Sequence, residues 1–412
     1  MPAYSGKFQY LDAAGATASQ GPCQFRFDKE TAVVTPASGT AIAFDLGDVD
    51  LIVKHDWDLE LALFTGRRLQ LRQFGAPFST MFEGLLAAWR DRTVRCLLLE
   101  DLEEIARYSG TAALPGPAVP AEIRLYKSNL AVLPLDGPAI QWRLAGVDAV
   151  SFDEAAYAIT VESAGERLVL AKLGKRTDEF RGNLEGAISD LRTHEAEALH
   201  AAFPFLDPDR LQQLNQTMPE GRSVTLEALR AIHPKLPDAL IARAVDEHLR
   251  PYFDALRKRM EGDGLMTGFK FIRPDEEGTE DAGDSPPDAA VEAPETPDDR
   301  QTLFFWFFFP LPGGLVAWEA TTGSGRATYF FDAPPPLEQS VARLTSGLAL
   351  VNFRREPVYL PDESLDQQQR FHRYAIGCRK LPDLRTLRAA FRGRALHTSP
   401  EAWMAQVEAQ KG

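Results

Sequence analysis

The densest group of ion-binding side chains lies near the end of the chain. Between positions 370 and 394, eight residues are basic and only Asp383 is acidic. Helical spacing would place Arg385, Arg388 and Arg392 on one face of a predicted helix. Guanidinium groups bind phosphates and carboxylates well, so this stripe predicts a site for nucleic acid, an anionic surface or an acidic protein segment. It could equally be a solvated helix face, or a dock for an acidic segment of the same chain.

A second set of basic residues occurs twice at the same spacing. Arg26 and Lys29 recur 98 positions later as Arg124 and Lys127. All four fall on or beside predicted strands, where they could face an anionic ligand. They could also be solvent-facing strand residues retained from a common ancestor. We take them, with the three arginines above, as the candidate binding residues.

Motifs for catalysis or metal binding are missing from the sequence. None of the seven histidines forms an HExxH motif, the three cysteines form no CxxC, and GxSxG does not occur. The segment 323–326 resembles a phosphate loop only superficially and predicts a hairpin turn. We therefore predict no catalytic residue, no metal and no cofactor. One enzyme hypothesis stays open, a site assembled from Glu319, Arg326, Tyr329 and His372.

The elements that would position these residues are duplicated. An offset of 98 aligns the segment 25–50 with 123–148, and an offset of 99 then aligns 66–91 with 165–190. Residues 23–91 have 18 identities in this alignment, where average composition would give about five. The same alignment matches Leu61 with Ile159 and Leu63 with Val161. Duplication explains this agreement better than chance.

Each repeat has the pattern of short strands followed by a helix. Leu59, Leu61 and Leu63 alternate with polar or small residues, which is typical of a half-buried antiparallel strand. After Gly75 the apolar spacing becomes helical and continues to Trp89. The second repeat changes in the same way after its own glycine at position 174. An extra helix is predicted over residues 94–106, between the repeats.

This order of elements resembles the tandem pleckstrin-homology-like (PH-like) domains of bacterial type, over roughly residues 5–200. Trp89 is similar to the tryptophan in the closing helix of that family, whereas the second repeat has Ile188 at that position. The resemblance implies a scaffold that binds phosphoinositides, peptides or proteins without chemistry of its own. Family members that bind phosphoinositides have many bases in the first two strands. Neither repeat has that dense pattern, so a partner protein is the better expectation.

The rest of the chain divides by composition. Residues 274–300 contain eleven acids, one base and five prolines, and are predicted to be a disordered linker. Beyond it, strands are expected at 303–311, 315–322 and 326–331, and helices near 337–353, 363–380, 383–395 and 399–410. The predicted fold class is α+β. The predicted domains are repeat 1 with the extra helix at 1–110, repeat 2 at 111–202, a helical segment at 203–273, the linker, and a C-terminal α+β domain at 301–412.

Charge and hydrophobicity narrow the expected partners. The net charge is −14, and most of it lies in the predicted linker. The longest apolar run, 303–311, is shorter than the roughly 20 residues of a membrane span. No secretory signal is apparent and the cysteines are odd in number, so we expect a cytoplasmic protein. The sequence favours a non-enzymatic tandem PH-like binding or scaffold protein that recognises a partner protein. The alternative is a binder of nucleic acid or an anionic surface through the C-terminal arginines.

Overall fold

A computed structural model describes residues 2–97, 102–114, 116–134, 137–163, 165–272, 302–321, 326–368 and 370–410. The predicted linker 274–300 and the predicted turn 323–325 lie outside the described residues. The described part is α+β, with three antiparallel sheets and a helix after each of the first two. No helix in that part is long and apolar enough to cross a bilayer.

The first sheet contains seven antiparallel strands in the order β4-β3-β2-β1-β7-β6-β5. A short 3₁₀ turn at Leu46–Asp48 leads from β4 into β5. The helix α1 follows the last strand. The elements are β1 Ala3–Leu11, β2 Thr17–Phe27, β3 Thr31–Pro36, β4 Ile42–Asp45, β5 Val49–His55, β6 Asp58–Leu63, β7 Arg68–Arg72 and α1 Phe78–Cys96.

The second sheet repeats this plan. Its order is β11-β10-β9-β8-β14-β13-β12, and a 3₁₀ turn at Leu144–Gly146 again follows the fourth strand. The same order of elements thus occurs twice, as the sequence repeat predicts. The elements are β8 Glu104–Ala113, β9 Val119–Tyr126, β10 Asn129–Pro134, β11 Ile140–Arg143, β12 Val147–Asp153, β13 Ala158–Ser163, β14 Glu166–Ala171 and α2 Thr177–Ala202.

A third sheet is built from residues on both sides of the segment 274–300. Its six antiparallel strands run in the order β15 to β20. The elements of this part of the chain are α3 Pro208–Thr217, β15 Val224–Thr225, α4 Leu226–Ile232, α5 Leu236–Ala244, α6 Arg250–Arg257, β16 Met266–Ile272, β17 Thr302–Leu311, β18 Leu315–Ala320, β19 Ala327–Asp332, α7 Leu337–Leu350, α8 Glu356–Tyr359, α9 Asp362–Gln367, α10 His372–Lys380, α11 Pro382–Ala390, β20 Phe391–Leu396 and α12 Pro400–Ala409.

The chain forms two compact units, and the first is discontinuous in sequence. Unit 1 comprises residues 1–188 and 361–382, so it holds both repeats together with α9 and α10. Unit 2 comprises residues 189–360 and 383–412 and holds the third sheet. A segment from late in the chain therefore completes a unit that begins at the N-terminus.

The predicted extra helix over residues 94–106 is wrong. Helix α1 ends at Cys96, and Glu104 already begins β8, which pairs with β9 along most of its length. Tyr108 is buried while its neighbours Arg107 and Ser109 are exposed, so the burial has the period of a strand. The apolar residues on which the helix was based belong partly to the end of α1 and partly to this strand.

Strand register also corrects the alignment of the repeats in the sixth strand. Ile52 pairs with Leu61 in repeat 1, and Val150, its counterpart, pairs with Val161 in repeat 2. Leu61 is therefore equivalent to Val161, and the match with Ile159 was wrong by two residues. The longer turn before β13 accounts for the difference. The residue just before the sixth strand is then Trp57 in repeat 1 and Tyr157 in repeat 2.

The aromatic strand β17 is buried on both faces, as its continuous apolar sequence predicts. Phe305, Phe307 and Phe309 belong to one core of unit 2. On the opposite face, Trp306 lies 4.1 Å from the ring of Phe353. Unit 2 is thus organised around a strand without a solvent-facing side.

The C-terminal helices differ from the prediction at two places. The predicted helix 363–380 is divided into α9 and α10, and the predicted helix 383–395 ends at Ala390. Phe391 begins β20, which pairs with β19 and continues the sheet. Its ring lies 5.8 Å from Phe331, a contact that favours the strand at the edge of the aromatic sheet.

The close approach of two strands at Gly268 gives a test of this packing. A β-carbon there would overlap the Trp306 ring and lie 2.6 Å from the carbonyl oxygen of Arg222. We expect Gly268→Ala to lower the free energy of unfolding by about 1–3 kcal/mol, because backbone or ring must move. Gly182→Ala in α2, where the added methyl meets nothing within 4 Å, should stabilise by about 0.5–1 kcal/mol. Urea unfolding measures both, and equal effects would contradict the tight packing.

Candidate functional site

A buried lysine occupies the interior of unit 1. Lys380 lies at the end of α10 and is 6% exposed. Its ammonium donates to the carbonyl oxygen of Val49 at 2.9 Å, and the Trp89 indole Nε1 donates to the same oxygen at 3.0 Å. The ammonium also lies 5.2 Å from the ring of Phe64 and 5.5 Å from that of Trp89. A cation is thus held between aromatic faces and one backbone acceptor.

A small pocket opens beside this lysine. The empty space there is about 330 Å³ when open solvent is counted, but the enclosed part is only about 20 Å³, room for roughly one water molecule. Residues of α1 form one wall and the described residues of 133–139 form another, so both repeats and α10 contribute. Among the described residues, neither Thr93 Oγ1 nor Arg90 Nε has a hydrogen-bond partner, although both atoms are buried. Buried polar groups are normally paired, so these two donors are unusual.

Burial also changes the acid–base behaviour of the lysine. Removal from solvent lowers the pKa of Lys380 from 10.5 to about 8, against the opposing attraction of the Asp50 carboxylate. A substantial fraction of this amine is therefore neutral slightly above physiological pH. Burial raises the pKa of the Cys96 thiol to about 12, so that thiol is a poor nucleophile.

An ionic network joins the two repeats beside the pocket. Arg124 binds Asp91 of α1 at 2.7 Å and Glu122 of its own strand at 2.6 Å. Arg90 reaches across from α1 to the same Glu122 at 3.2 Å. The Arg124 side chain is 3% exposed. Two arginines and two carboxylates therefore connect the closing helix of repeat 1 to the sheet of repeat 2.

The four repeated basic residues do not share one environment. Arg124 is buried in this network, whereas its counterpart Arg26 is exposed on β2. Lys127 is exposed and pairs with Glu103 at 2.7 Å, and Lys29 is exposed beside Arg95, which donates to its carbonyl oxygen. The duplicated spacing thus preserves strand positions rather than a common charged site.

The three C-terminal arginines do not form the predicted helical stripe. Arg385 and Arg388 lie on α11, but Arg392 lies on β20. Arg388 donates to the carbonyl oxygens of Pro357 and Leu360, at 2.5 and 2.9 Å. Arg392 pairs with Asp332 at 2.7 Å. The stripe fails because the helix ends at Ala390, before the third arginine.

The wider basic run is divided between the two units. Its residues from 370 to 380 belong to unit 1 and those from 385 to 394 belong to unit 2. Arg379 bridges Asp48, at 2.9 Å, and Asp366 within unit 1. In unit 2, the guanidinium of Arg394 lies 4.0 Å from the centre of the Tyr359 ring. These contacts satisfy charges that the sequence presents as one free cluster.

The hypothetical enzyme site is not assembled. Glu319 and Tyr329 lie on neighbouring strands, but Glu319 pairs across the sheet with Thr328, while Tyr329 lies opposite Trp318 on the other face. His372 belongs to unit 1, where it lies 3.7 Å from Asp45. Arg326 is exposed at the start of β19. The four residues therefore have separate surroundings.

A different polar cluster surrounds Glu319 in the core of unit 2. Thr328 Oγ1 donates to Glu319 Oε2 at 2.5 Å and accepts from the Trp403 indole at 2.9 Å. His397 Nε2 lies 3.2 Å from the same hydroxyl and 3.4 Å from Glu319 Oε1. The His397 ring stacks on Tyr252, with centroids 4.1 Å apart. The cluster ties two strands to α6 and α12.

This cluster has the geometry of a structural network. Glu319 and Thr328 are fully buried. A glutamate within the apolar strand β18 was the only sequence signal, since its partners lie far along the chain. Among the described residues, no group of three histidine, cysteine or acidic side chains is placed to hold a metal ion.

Each repeat exposes an aromatic residue at the tip of the hairpin before the sixth strand. Trp57 is 62% exposed and Tyr157 is 48% exposed. Trp57 lies 5.8 Å from the ring of Phe78, and Tyr157 lies 5.5 Å from that of Phe152. Each tip therefore presents one aromatic ring to solvent and leans on a second ring.

A pH titration of stability tests the environment of Lys380. Its folded pKa lies below the ordinary value, so the folded state binds fewer protons than the unfolded state between about pH 8 and 10.5. The charge therefore costs stability below pH 8, and this cost fades as the pH rises through that window. We expect Lys380→Met to raise the free energy of unfolding at pH 6 by about 1–3 kcal/mol, with a smaller gain at pH 10. Urea unfolding at both pH values checks this, and a pH-independent difference would contradict it.

The hydroxyl of Thr328 gives a test of the buried cluster. Thr328→Val removes the group on which Glu319, Trp403 and His397 converge and should cost about 2–4 kcal/mol of folding free energy. Thr321→Val is the matched control, because Thr321 is as deeply buried in unit 2 while its hydroxyl has no partner among the described residues. That control should be neutral or stabilising. Equal losses in the two variants would mean that packing, and not hydrogen bonding, determines the effect.

No protein-family model matches the chain, and no curated protein matches it significantly. What the protein does has therefore to be inferred from the geometry of its two units.

Proposed function

We propose that this chain is a cytoplasmic, non-enzymatic tandem PH-like protein that recognises a basic segment of a partner protein through the hairpin tips bearing Trp57 and Tyr157. The order of elements supports the PH-like assignment, since seven antiparallel strands followed by one helix occur twice. The three cysteines are buried and unbridged, which favours a reducing compartment.

The duplicated exposure of an aromatic ring is the observation that carries the proposal. Only four large hydrophobic residues are exposed in the described part of the chain, and two of them are Trp57 and Tyr157. The residue differs between the repeats, but the position is equivalent and both side chains are exposed. Tyr157 also has a φ of 51°, a backbone conformation that bulky residues seldom adopt. Exposed tryptophan and tyrosine are typical anchors of protein interfaces.

A cation–aromatic pair supports each tip from behind. In repeat 1 the ammonium of Lys54 lies 5.0 Å from the Phe82 ring. In repeat 2 the guanidinium of Arg181 lies 5.1 Å from the Phe152 ring. Lys54 on the fifth strand is equivalent to Phe152, and Phe82 on the closing helix is equivalent to Arg181. The cation and the ring have thus exchanged positions between the repeats, and the pair is retained near each tip.

Charge at the tips favours a basic partner. Trp57 stands between Asp56 and Asp58, of which Asp58 pairs with Arg72 at 3.3 Å, and Asp153 and Glu154 precede Tyr157. An exposed ring flanked by carboxylates attracts lysine or arginine through both the ring face and the negative field. The alternative function, an anionic partner bound by the C-terminal arginines, gains no support, because Arg388 and Arg392 bind groups within unit 2.

Substitution at the tips tests the proposal. We expect full-length protein to bind short Lys/Arg-rich peptides on an array and to leave matched Asp/Glu-rich peptides unbound. Trp57→Ala and Tyr157→Ala should each weaken binding by about 1–2 kcal/mol, and the double variant should weaken it further. Added salt should weaken binding too, since exposed charges are screened.

Phe205→Ala is the matched control, because Phe205 is an exposed aromatic residue, at 42%, that belongs to unit 2. It should leave binding unchanged. Unfolding curves of all variants establish that the fold is intact. Binding that survives the double substitution, or that prefers acidic peptides, would refute the proposal.

A further inference from the structure

In repeat 1 a lysine of this chain already lies at the aromatic tip. The ammonium of Lys54 is over two rings, 5.0 Å from the centre of Phe82 and 6.0 Å from that of Phe78. Those two rings are nearly parallel, and Phe78 also contacts the exposed Trp57, with ring centres 5.8 Å apart. The three rings therefore form one aromatic cluster, and a cation of the protein itself occupies it.

Repeat 2 has the same arrangement with different residues. The guanidinium of Arg181 lies over the half-buried Phe152 ring, 5.1 Å from its centre. Phe152 in turn contacts the exposed Tyr157 edge to face, with ring centres 5.5 Å apart. An internal cation on a ring that touches the exposed tip residue is thus present in both repeats.

Within the described part of the chain, both cations are held by aromatic rings alone. Neither Lys54 nor Arg181 has a hydrogen bond or an ion pair with a described residue. The exposed carboxylate of Asp56, two residues after Lys54, likewise has no ion pair with a described residue. A cation–ring contact at an exposed site changes an equilibrium by only about twofold to fivefold, so a second cation can displace either residue.

We propose that Lys54 and Arg181 are internal competitors, which occupy the rings that a lysine or arginine of the partner's basic segment takes over on binding. The proposal rests on the proposed function and adds a control of affinity to the same site. At the tip of repeat 1 the partner's cation gains the ring cluster together with the Asp56 carboxylate, whereas Lys54 uses the rings alone. The affinity of the protein is then reduced according to the fraction of molecules whose rings are already occupied.

Removal of each internal cation from the full-length protein tests the competition. Lys54→Met and Arg181→Met keep an unbranched side chain without its charge, so each should bind a Lys/Arg-rich peptide about twofold to fivefold more tightly than the parent protein does. Lys7→Met is the matched control, because Lys7 is an exposed lysine of β1 without a ring contact or ion pair among the described residues. It removes the same net charge and should change the affinity far less.

A nuclear magnetic resonance measurement separates displacement from a simple loss of charge repulsion. In protein prepared with isotope-labelled lysine, the methylene group beside the Lys54 ammonium should resonate upfield, because ring currents act on it. The signal is assigned by its absence from the spectrum of Lys54→Met. Saturating peptide should move it to the position typical of a solvent-exposed lysine.

The outcomes distinguish the competition from the proposed function. If peptide binding depends on Trp57 but is no tighter in Lys54→Met and Arg181→Met than in Lys7→Met, the tips remain the binding site and the competition is overturned. A Lys54 signal that stays upfield at saturation overturns it too. Weaker binding in either of the first two variants has the same meaning, because the cation would then support the tip. If no basic peptide binds the parent protein, the competition and the proposed function both fall.

Discussion

One backbone carbonyl organises unit 1. The oxygen of Val49 accepts both the Trp89 indole and the Lys380 ammonium, so β5, α1 and α10 meet at a single acceptor. The indole fixes the rotation of α1 over the first sheet. Once that rotation is fixed, the next residues of the helix have determined directions: Arg90 and Asp91 reach Glu122 and Arg124, and Thr93 faces the pocket. The joint between the repeats and the unusual donors of the pocket both follow from that one orientation.

The two repeats show how a duplicated scaffold acquires different surfaces. Arg26 and Arg124 have the same strand position, but the second is enclosed by the helix of the first repeat. Burial of a charge is tolerated there because two carboxylates accompany it. At the hairpin tips the residue type differs between the repeats, tryptophan in one and tyrosine in the other, but both side chains are exposed. Equivalent positions therefore indicate common ancestry, and equivalent exposure is the better guide to common use.

The sequence was a sound guide wherever the signal was local. The alternation of Leu59, Leu61 and Leu63 predicted a half-buried strand, and the aromatic run of β17 predicted a buried one, because each pattern depends on burial by near neighbours. The prediction failed at β8, because its apolar residues fit both a helical and a strand period. Only the pairing with β9 distinguishes the two. The end of α11 at Ala390 is a similar case, since β20 is stabilised by pairing with a distant strand.

Binding features were harder to predict than the fold. Lys380 belonged to a basic run in the sequence, and only its spacing from Ile376, a buried neighbour one turn earlier on α10, suggested an inward direction. Its acceptor lies 331 positions away, beyond the reach of any local pattern. The Glu319 cluster likewise depends on Thr328, His397 and Trp403, which no spacing rule relates. The exposure of Trp57 and Tyr157 could not be predicted without first locating the turn between the fifth and sixth strands of each repeat.

The late position of α10 in the chain affects how the protein can be made. Synthesis proceeds from the N-terminus, so both repeats leave the ribosome long before residues 361–382 exist. Until then the Val49 oxygen accepts only the Trp89 indole and the pocket lacks the Lys380 side of its lining. Unit 1 can therefore be completed only after residues 361–382 have been synthesised. A chain that ends before residue 361 would lack the Lys380 ammonium and, with it, one side of the pocket.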